Sequence, residues 1–241
     1  MKVLAIDSSG MVASVAIVED DIVIAEYNVN FKKTHSQTLL PMIDELSKMV
    51  ELDLASIDLI AVTAGPGSFT GLRIGSATVK GLARALNKPI VAVPTVDAIA
   101  YNMYGSSSLI CPLMDARRNQ TYTGLYEFVK KEKAYEMNII KEQCAVDLGV
   151  IIEEINGLGR DVIFLGDGVP VFCKQIEEEL KVPYMFAPAF LNRQRAASLA
   201  VLALSYEKEG RITDAAEFAP IYLRLSQAER EQLEKENMRN C

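Results

Sequence analysis

The hydrophobic pattern at the start of the chain is that of strands. Residues 3–6 are a continuous apolar run that ends in Asp7-Ser8-Ser9-Gly10, a turn of the kind that follows a buried strand. Residues 12–18 and 22–29 alternate between apolar and polar positions, and the acidic residues 19–21 join them. The pattern predicts an antiparallel meander, which is not the strand–helix–strand opening of a dinucleotide-binding fold.

From about Ser36 the apolar positions follow a helical period, as they do at Leu39, Met42, Ile43, Leu46 and Val50. Pro41 is expected in or near the first turn, because a proline inside a helix costs about 3 kcal/mol. A buried strand at 57–63 leads into a glycine-rich turn at 64–71 and a helix that ends at Leu86. A strand at 90–93 and a helix at 95–103 follow.

After residues 104–108 the pattern partly restarts. A strand at 109–114 ends in Asp115, as the first strand ends in Asp7, and strands are predicted at 121–128 and 162–165. Two strands that each open a lobe and end in aspartate are the skeleton of the two-lobed, actin-like α/β superfold of sugar kinases and heat-shock chaperones. We therefore predict a first lobe at 1–104, a second at 105–225 whose helix 193–208 packs back on the first, and a polar tail at 226–241.

Composition restricts the chemistry. The 241 residues are 50% hydrophobic, carry a formal net charge of −7 and include one histidine, His35. No apolar stretch reaches the roughly 18 residues of a membrane span, and the N-terminus lacks a signal-peptide core, so a cytoplasmic protein is expected. The cysteines show no CxxC spacing, and the negative charge disfavours a broad nucleic-acid surface. A single imidazole excludes histidine-rich metal centres.

Three turns are candidates for holding a nucleotide or phosphate. The first is Asp7-Ser8-Ser9, whose hydroxyls and backbone N–H groups suit a phosphate. The second begins at Asp115 and carries Arg117 and Arg118. The third is Gly166-Asp167-Gly168, where glycine would admit an adenine ring. Each is also compatible with an ordinary turn, and the local sequence favours the ordinary turn for the first and the third.

The glycine-rich turn does not match a phosphate loop, because no lysine occurs between Gly65 and Lys80. In the helix that follows, Gly71 and Gly75 lie four residues apart, and Ser76 adds another small side chain. Small residues at this spacing let a second backbone approach closely. The approaching backbone belongs either to a partner subunit or to this chain's own sheet.

The segment Ala64-Gly65-Pro66-Gly67-Ser68-Phe69-Thr70-Gly71-Leu72-Arg73-Ile74-Gly75 resembles the bacterial TsaB (YeaZ) family. Further matches lie at residues 5–9, 35–37, 39–41, 93–95, 114–117, 166–168 and 220–224, so the resemblance covers about residues 1–225.

The resemblance implies a non-catalytic subunit that binds a TsaD-type transferase for N6-threonylcarbamoyladenosine beside the tRNA anticodon. A TsaE-type ATPase joins through the complex, tRNA is contacted indirectly, and ATP or ADP is a candidate ligand at the interface, with no cofactor of the subunit's own. The subunit alone is a candidate homodimer. The implied partner surface lies on the two first-lobe helices, at His35, Leu39, Met42, Ile43, Leu46, Gly71, Leu72, Gly75, Ser76, Val79, Leu82 and Ala83. A charge placed there, as in Gly75→Glu, is expected to abolish the complex and leave the fold intact.

The related catalytic subunit carries a His-x-x-x-His pair after the strand that corresponds to 90–93, where this chain has Pro94-Thr95-Val96-Asp97-Ala98-Ile99. Independent transferase or peptidase activity is therefore not expected. The alternative is an autonomous actin-like ATPase or phosphotransferase that uses Asp7 and Asp115.

Overall fold

The computed structural model describes residues 1–224 and contains two five-stranded sheets. The first sheet has the order β3-β2-β1-β4-β5. Its strands are β1 (Lys2–Asp7), β2 (Ala13–Glu19), β3 (Ile22–Val29), β4 (Leu59–Gly65) and β5 (Ile90–Pro94). β1, β2 and β3 form an antiparallel meander, whereas β4 and β5 run parallel to β1 and to each other.

The second sheet repeats this topology. Its order is β10-β9-β6-β7-β8, so that β6 takes the central place that β1 has in the first sheet. The strands are β6 (Leu109–Asp115), β7 (Gln120–Lys130), β8 (Tyr135–Asp147), β9 (Val162–Leu165) and β10 (Tyr184–Phe186). The first three are antiparallel and the last two are parallel, as before.

A helix follows the third, fourth and fifth strand of each sheet. The helices are α1 (His35–Met49), α2 (Phe69–Leu86), α3 (Thr95–Ala100), α4 (Leu148–Leu158), α5 (Val169–Glu179) and α6 (Ala196–Lys208). α1 and α2 share a core with one face of the first sheet, and α4 and α5 with one face of the second. α6 packs on β1, β2 and β5, α3 packs on β6 and β7, and the two helices contact each other. They form the layer between the sheets.

A buried carboxylate joins this middle layer to the second sheet. Asp97 on α3 accepts hydrogen bonds of 2.7 Å from the hydroxyl groups of Tyr126 on β7 and Tyr206 on α6. Burial raises the pKa of Asp97, and the two hydrogen bonds oppose that rise. Asp97 therefore holds three elements from both lobes at one point.

The strands and helices predicted from the hydrophobic pattern are present in the structure, with two local differences. Pro41 lies in the second turn of α1, not the first. The core packing of the apolar stripe that begins at Leu39 holds the helix despite the lost hydrogen bond. α6 begins at Ala196 rather than at residue 193, because Arg195 still has extended backbone. β8, α4, α5 and β10 were not predicted, and the tail 226–241 lies outside the described residues. Among residues 1–224, no helix is long and apolar enough to cross a bilayer.

Candidate partner interface and interlobe cleft

Three glycines, Gly67 in the turn and Gly71 and Gly75 in α2, lie against the turn that follows β1. A Cβ atom on Gly67 would lie 2.2 Å from the carbonyl oxygen of Ser9, and one on Gly71 would lie 2.1 Å from that of Ser8. On Gly75 it would lie 2.3 Å from the Ser8 hydroxyl oxygen. Real Cβ atoms essentially never lie so close to another atom. Gly67 and Gly71 need glycine because backbone touches backbone there, and Gly75 because the Ser8 side chain occupies the space.

Hydrogen bonds fix the same contact. The Ser68 N–H donates to the Ser9 carbonyl at 2.7 Å, and the Ser8 hydroxyl donates to the Gly71 carbonyl at 2.9 Å. His35, the first residue of α1, joins through Nε2 to the Gly10 carbonyl at 2.8 Å. The glycine-rich segment that the sequence suggested for partner binding therefore attaches α1 and α2 to the first sheet of this chain.

The residues predicted to bind a partner mostly lie inside the first lobe, where they pack against this chain's own sheet. Most of the set is buried, namely Leu39, Met42, Ile43, Leu46, Gly71, Leu72, Gly75, Ser76, Val79 and Ala83. Leu82 is half-buried against the same core. An amphipathic helix buries its most regular apolar stripe in its own subunit first. A Gly75→Glu change would consequently disturb the fold itself, contrary to the expectation from sequence.

The solvent-facing flank of the two helices presents a different set of residues. Leu40 on α1 is 55% exposed and lines an open groove with Leu82 of α2 and with Leu52 and Leu54. α2 adds small or apolar residues at helical spacing along this flank, Ile74, Ala77, Thr78, Gly81 and Ala85, of which Ala77, Gly81 and Ala85 are exposed.

Sequence reasoning missed these positions because it followed the strongest stripe. The spacing of Ala77, Gly81 and Ala85, four residues apart, was the available signal. Gly81 has open space around the place of its missing Cβ atom, unlike Gly71 and Gly75. Packing among residues 1–224 therefore does not require its small size.

Asp7 is fully buried, and the turn after it is engaged internally. Its Oδ1 accepts hydrogen bonds from the Ser9 N–H at 2.9 Å and the Ser9 hydroxyl at 2.7 Å. Burial raises the pKa of Asp7, and the Ser9 hydrogen bonds oppose that rise. With the Ser8 hydroxyl bonded to Gly71, neither serine hydroxyl is directed at a phosphate. A phosphate at the site predicted on Asp7, Ser8 and Ser9 would have to be held by groups other than these two hydroxyls.

The other two candidate turns meet in the second lobe. Asp115 accepts the Arg117 N–H at 2.7 Å and forms an ion pair of 2.9 Å with the Arg117 guanidinium. Asp167 is close enough to Asp115 for the two charges to interact, and burial raises the pKa of Asp167, opposed by Arg193. The structure thus brings Asp115 and Asp167 together, while Asp7 is bonded within the first lobe.

Gly166 has φ +108°, and a Cβ atom there would lie 2.1 Å from the Leu113 carbonyl oxygen. The glycine is needed for contact with β6, so packing within the chain explains the residue, and an adenine site there stays a prediction. Within residues 1–224, no group of three or more His, Cys, Asp or Glu side chains is arranged to hold a metal ion.

Comparison with known proteins shows which family the chain belongs to. The family model described as "TsaD: tRNA N6-adenosine threonylcarbamoyltransferase" matches residues 26–232. The tRNA threonylcarbamoyladenosine biosynthesis protein TsaB of Bacillus subtilis (strain 168) is 36% identical over 242 residues, which is 98% of this chain and 100% of that protein. The chain belongs to the TsaB (YeaZ) family. The TsaB protein of Haemophilus influenzae is 29% identical over 93% of this chain and 94% of its own length.

Solved structures agree with the family and the fold. YeaZ from Pseudomonas aeruginosa superposes with a TM-score of 0.75 at 26% identity, covering 92% of this chain and 100% of that chain. A polyphosphate/ATP-glucomannokinase from Arthrobacter sp. strain KM matches with a TM-score of 0.50 at 11% identity, over 86% of this chain and 99% of that chain. The latter likeness concerns the fold alone, which is the predicted two-lobed, actin-like fold.

Proposed function

We propose that the chain is a subunit of the tRNA threonylcarbamoyladenosine machinery that binds a TsaD-type transferase through the exposed flank of α1 and α2. The observation that carries the proposal is family membership along nearly the whole chain, since the Bacillus subtilis relative is named for this pathway. The subunit acts in the cytoplasm and meets a TsaE-type ATPase and tRNA through the assembled complex.

The exposed flank has the chemistry of a helix-binding surface. The groove beside Leu40 and Leu82 is apolar on its floor, while Asp44, Lys48 and Glu51 line its polar edge. Interfaces combine an apolar centre with a polar rim in this way. The exposed Gly81 and Ala85 let a partner helix approach α2 closely.

A role without catalysis follows from how the cleft residues are used. Asp7 accepts hydrogen bonds from Ser9, and Asp115 is paired with Arg117. Asp7 is closed off from solvent by burial, and the Asp115 carboxylate is held in an ion pair, so neither is offered to a nucleotide as a general base. We therefore propose that this subunit shapes or activates the transferase and performs no transfer itself.

Two exposed apolar residues on α1 give a matched test. Leu40→Glu places a charge in the groove, and we expect binding of a TsaD-type transferase to fall about 100-fold, as for a central interface residue. Met49→Glu makes the same change at a residue that is 81% exposed and does not line the groove. We expect it to leave binding unchanged. Co-purification and calorimetric titration measure both.

Equal binding by the Leu40→Glu variant and the wild type would reject this surface. Retention of threonylcarbamoyladenosine in tRNA after depletion of the protein would reject the pathway assignment. The same Leu40→Glu variant, examined alone by sedimentation, tests the prediction of a homodimer through these helices.

The alternative, an autonomous ATPase, makes a separate prediction. Magnesium-dependent ATP hydrolysis by the pure subunit, abolished in Asp7→Ala, would establish it. The burial of Asp7 and its bonds to Ser9 favour the binding role.

A further inference from the structure

The last described residues run from the first lobe to the second. The Ile221 N–H donates to the Ala64 carbonyl at 2.7 Å. A Cβ atom on Gly65 would lie 2.3 Å from the Ile221 carbonyl oxygen. The backbone of Ile221 therefore lies directly on the turn between β4 and α2.

The next residue holds the first turn of α2. The Tyr222 ring stacks on Phe69 with centroids 4.6 Å apart and planes 4° from parallel. The Arg73 guanidinium donates to the Tyr222 hydroxyl at 3.4 Å and lies 6.0 Å from the ring centroid. Phe69 and Arg73 are on successive turns of α2, so Tyr222 covers the beginning of that helix.

The two residues after Tyr222 contact the second lobe. Leu223 packs against the apolar cluster between α3 and the second sheet. The Arg224 guanidinium donates to the carbonyl of Ala116 and, at 3.3 Å, to that of Arg117. Both carbonyls belong to the turn that joins β6 to β7. Four consecutive residues thus contact both lobes.

We propose that residues 221–224 form a latch that holds the two lobes at a fixed angle and the first turn of α2 in place. Since α2 carries half of the exposed flank described above, the latch also positions the proposed partner surface. Only this last consequence rests on the proposed function. A short segment fixed at both ends is cooperative, because releasing one end frees the other.

Hydrogen exchange in the free, full-length protein tests the latch across the cleft. Arg224→Ala removes contacts that lie entirely in the second lobe, yet the latch predicts faster exchange of the Ile221 amide, whose acceptor is in the first lobe. Loss of hydrogen bonds from a charged group predicts an increase of about tenfold. Arg118→Ala removes an exposed guanidinium from the same turn, where no described contact reaches the latch, and should leave the rate unchanged.

A double-mutant cycle tests cooperativity. Phe69→Ala releases the first-lobe anchor, and we expect the pair Phe69→Ala and Arg224→Ala to exchange little faster than either single variant. Independent contacts would instead multiply to about a hundredfold. Multiplying effects, or an unchanged Ile221 rate in Arg224→Ala, would overturn the latch. Tyr222→Ala, which removes the same ring stack, replaces Phe69→Ala if that variant does not fold, and Arg224→Met, which removes the donor, replaces Arg224→Ala.

Binding then separates the two proposals. We expect Arg224→Ala to lower affinity for a TsaD-type transferase about tenfold, in step with the exchange rate of Ile221. A wild-type protein that binds no transferase would refute the proposed function and leave the exchange result standing. Full affinity in a variant with a released latch would show that the latch does not position the surface.

Discussion

In the first lobe, Asp7 ends the central strand, is fully buried, and accepts two hydrogen bonds from Ser9. In the second lobe, Asp115 ends the equivalent strand, keeps 17% of its side-chain surface exposed, and pairs with a guanidinium that is 86% exposed. The topology is the same, so the difference comes from what covers each turn. The start of α2 lies on the first turn, whereas the second turn stays open to solvent.

The comparison shows that the equivalent turns of the two lobes have different structural roles. Covering Asp7 converts a turn at the cleft into a support for α1 and α2, the helices that carry the proposed partner surface. The open turn of the second lobe receives the latch instead, through the carbonyls of Ala116 and Arg117. Equivalent turns in one repeated topology can thus have different surroundings, one packed under a helix and one exposed to solvent.

The largest effect is expected where a glycine lets two backbones touch, and it tests whether the stability of each lobe depends on that contact. Gly71→Ala and Gly166→Ala each place a Cβ atom 2.1 Å from a backbone carbonyl oxygen. We expect each variant to lose about 3 kcal/mol of unfolding free energy or more, because neither backbone can move away without disturbing its sheet. Urea denaturation measures the change.

Matched controls use the same substitution where there is space. Gly81 in α2 and Gly157 in α4 have no atom within 4 Å of the missing Cβ position, counting none from their own helix turn. Alanine is the better helix former there, so both should gain about 0.5–1 kcal/mol. Tolerance of alanine at Gly71 but not at Gly166 would mean that α2 can shift on its sheet, and the supporting role of the first turn would be wrong.

The first lobe was more predictable from sequence than the second, for a physical reason. All of its strands except the edge strand β3 are largely buried, and α1 has a clear amphipathic stripe beginning at Leu39. β8 was missed because most of its residues are only half-buried and it alternates weakly. The short edge strand β10 was missed because two of its three residues are exposed.

The candidate site was predicted only in part. Sequence identified the turns at Asp7, Asp115 and Gly166, because turn chemistry is local. It could not decide what Gly71 and Gly75 contact, because Ser8 lies more than sixty residues away in the chain. Helical spacing describes a face, and only tertiary structure shows whether that face meets the chain's own sheet or solvent.

An intermediate effect on the free energy of unfolding is expected from the ionisation of Asp7. Burial raises its pKa above the value near 3.9 of an unfolded chain, so its favourable contribution is present below that pH and is lost as pH rises through the folded-state pKa. Asp7→Asn keeps an oxygen for Ser9 and cannot ionise. We expect the variant to exceed wild type by about 1 kcal/mol at pH 7 and to match it more closely near pH 4.

Measuring unfolding across that pH range isolates Asp7, since Asp97 titrates in both proteins. Asp115→Asn serves as the second-lobe comparison, and no gain at pH 7 is expected because its carboxylate is paired with Arg117. Equal pH profiles for wild type and Asp7→Asn would contradict the burial argument.

The smallest effect concerns backbone strain in the open turn of the second lobe. Arg117, Arg118 and Asn119 all have positive φ, between 55° and 64°. Arg118 is exposed, so Arg118→Gly removes the strain of a left-handed backbone conformation without removing a packed side chain. The relief of strain outweighs the added freedom of the unfolded chain only slightly, and we expect a gain of about 0.5 kcal/mol in the free energy of unfolding.

Two further variants serve as comparisons. Glu51→Gly, at φ +50° in the first lobe, should gain similarly, whereas Glu132→Gly, at an exposed residue, should not. A loss at Arg118 with a gain at Glu51 would mean that the second turn uses the Arg118 side chain, and the difference between the two lobes would then extend to binding.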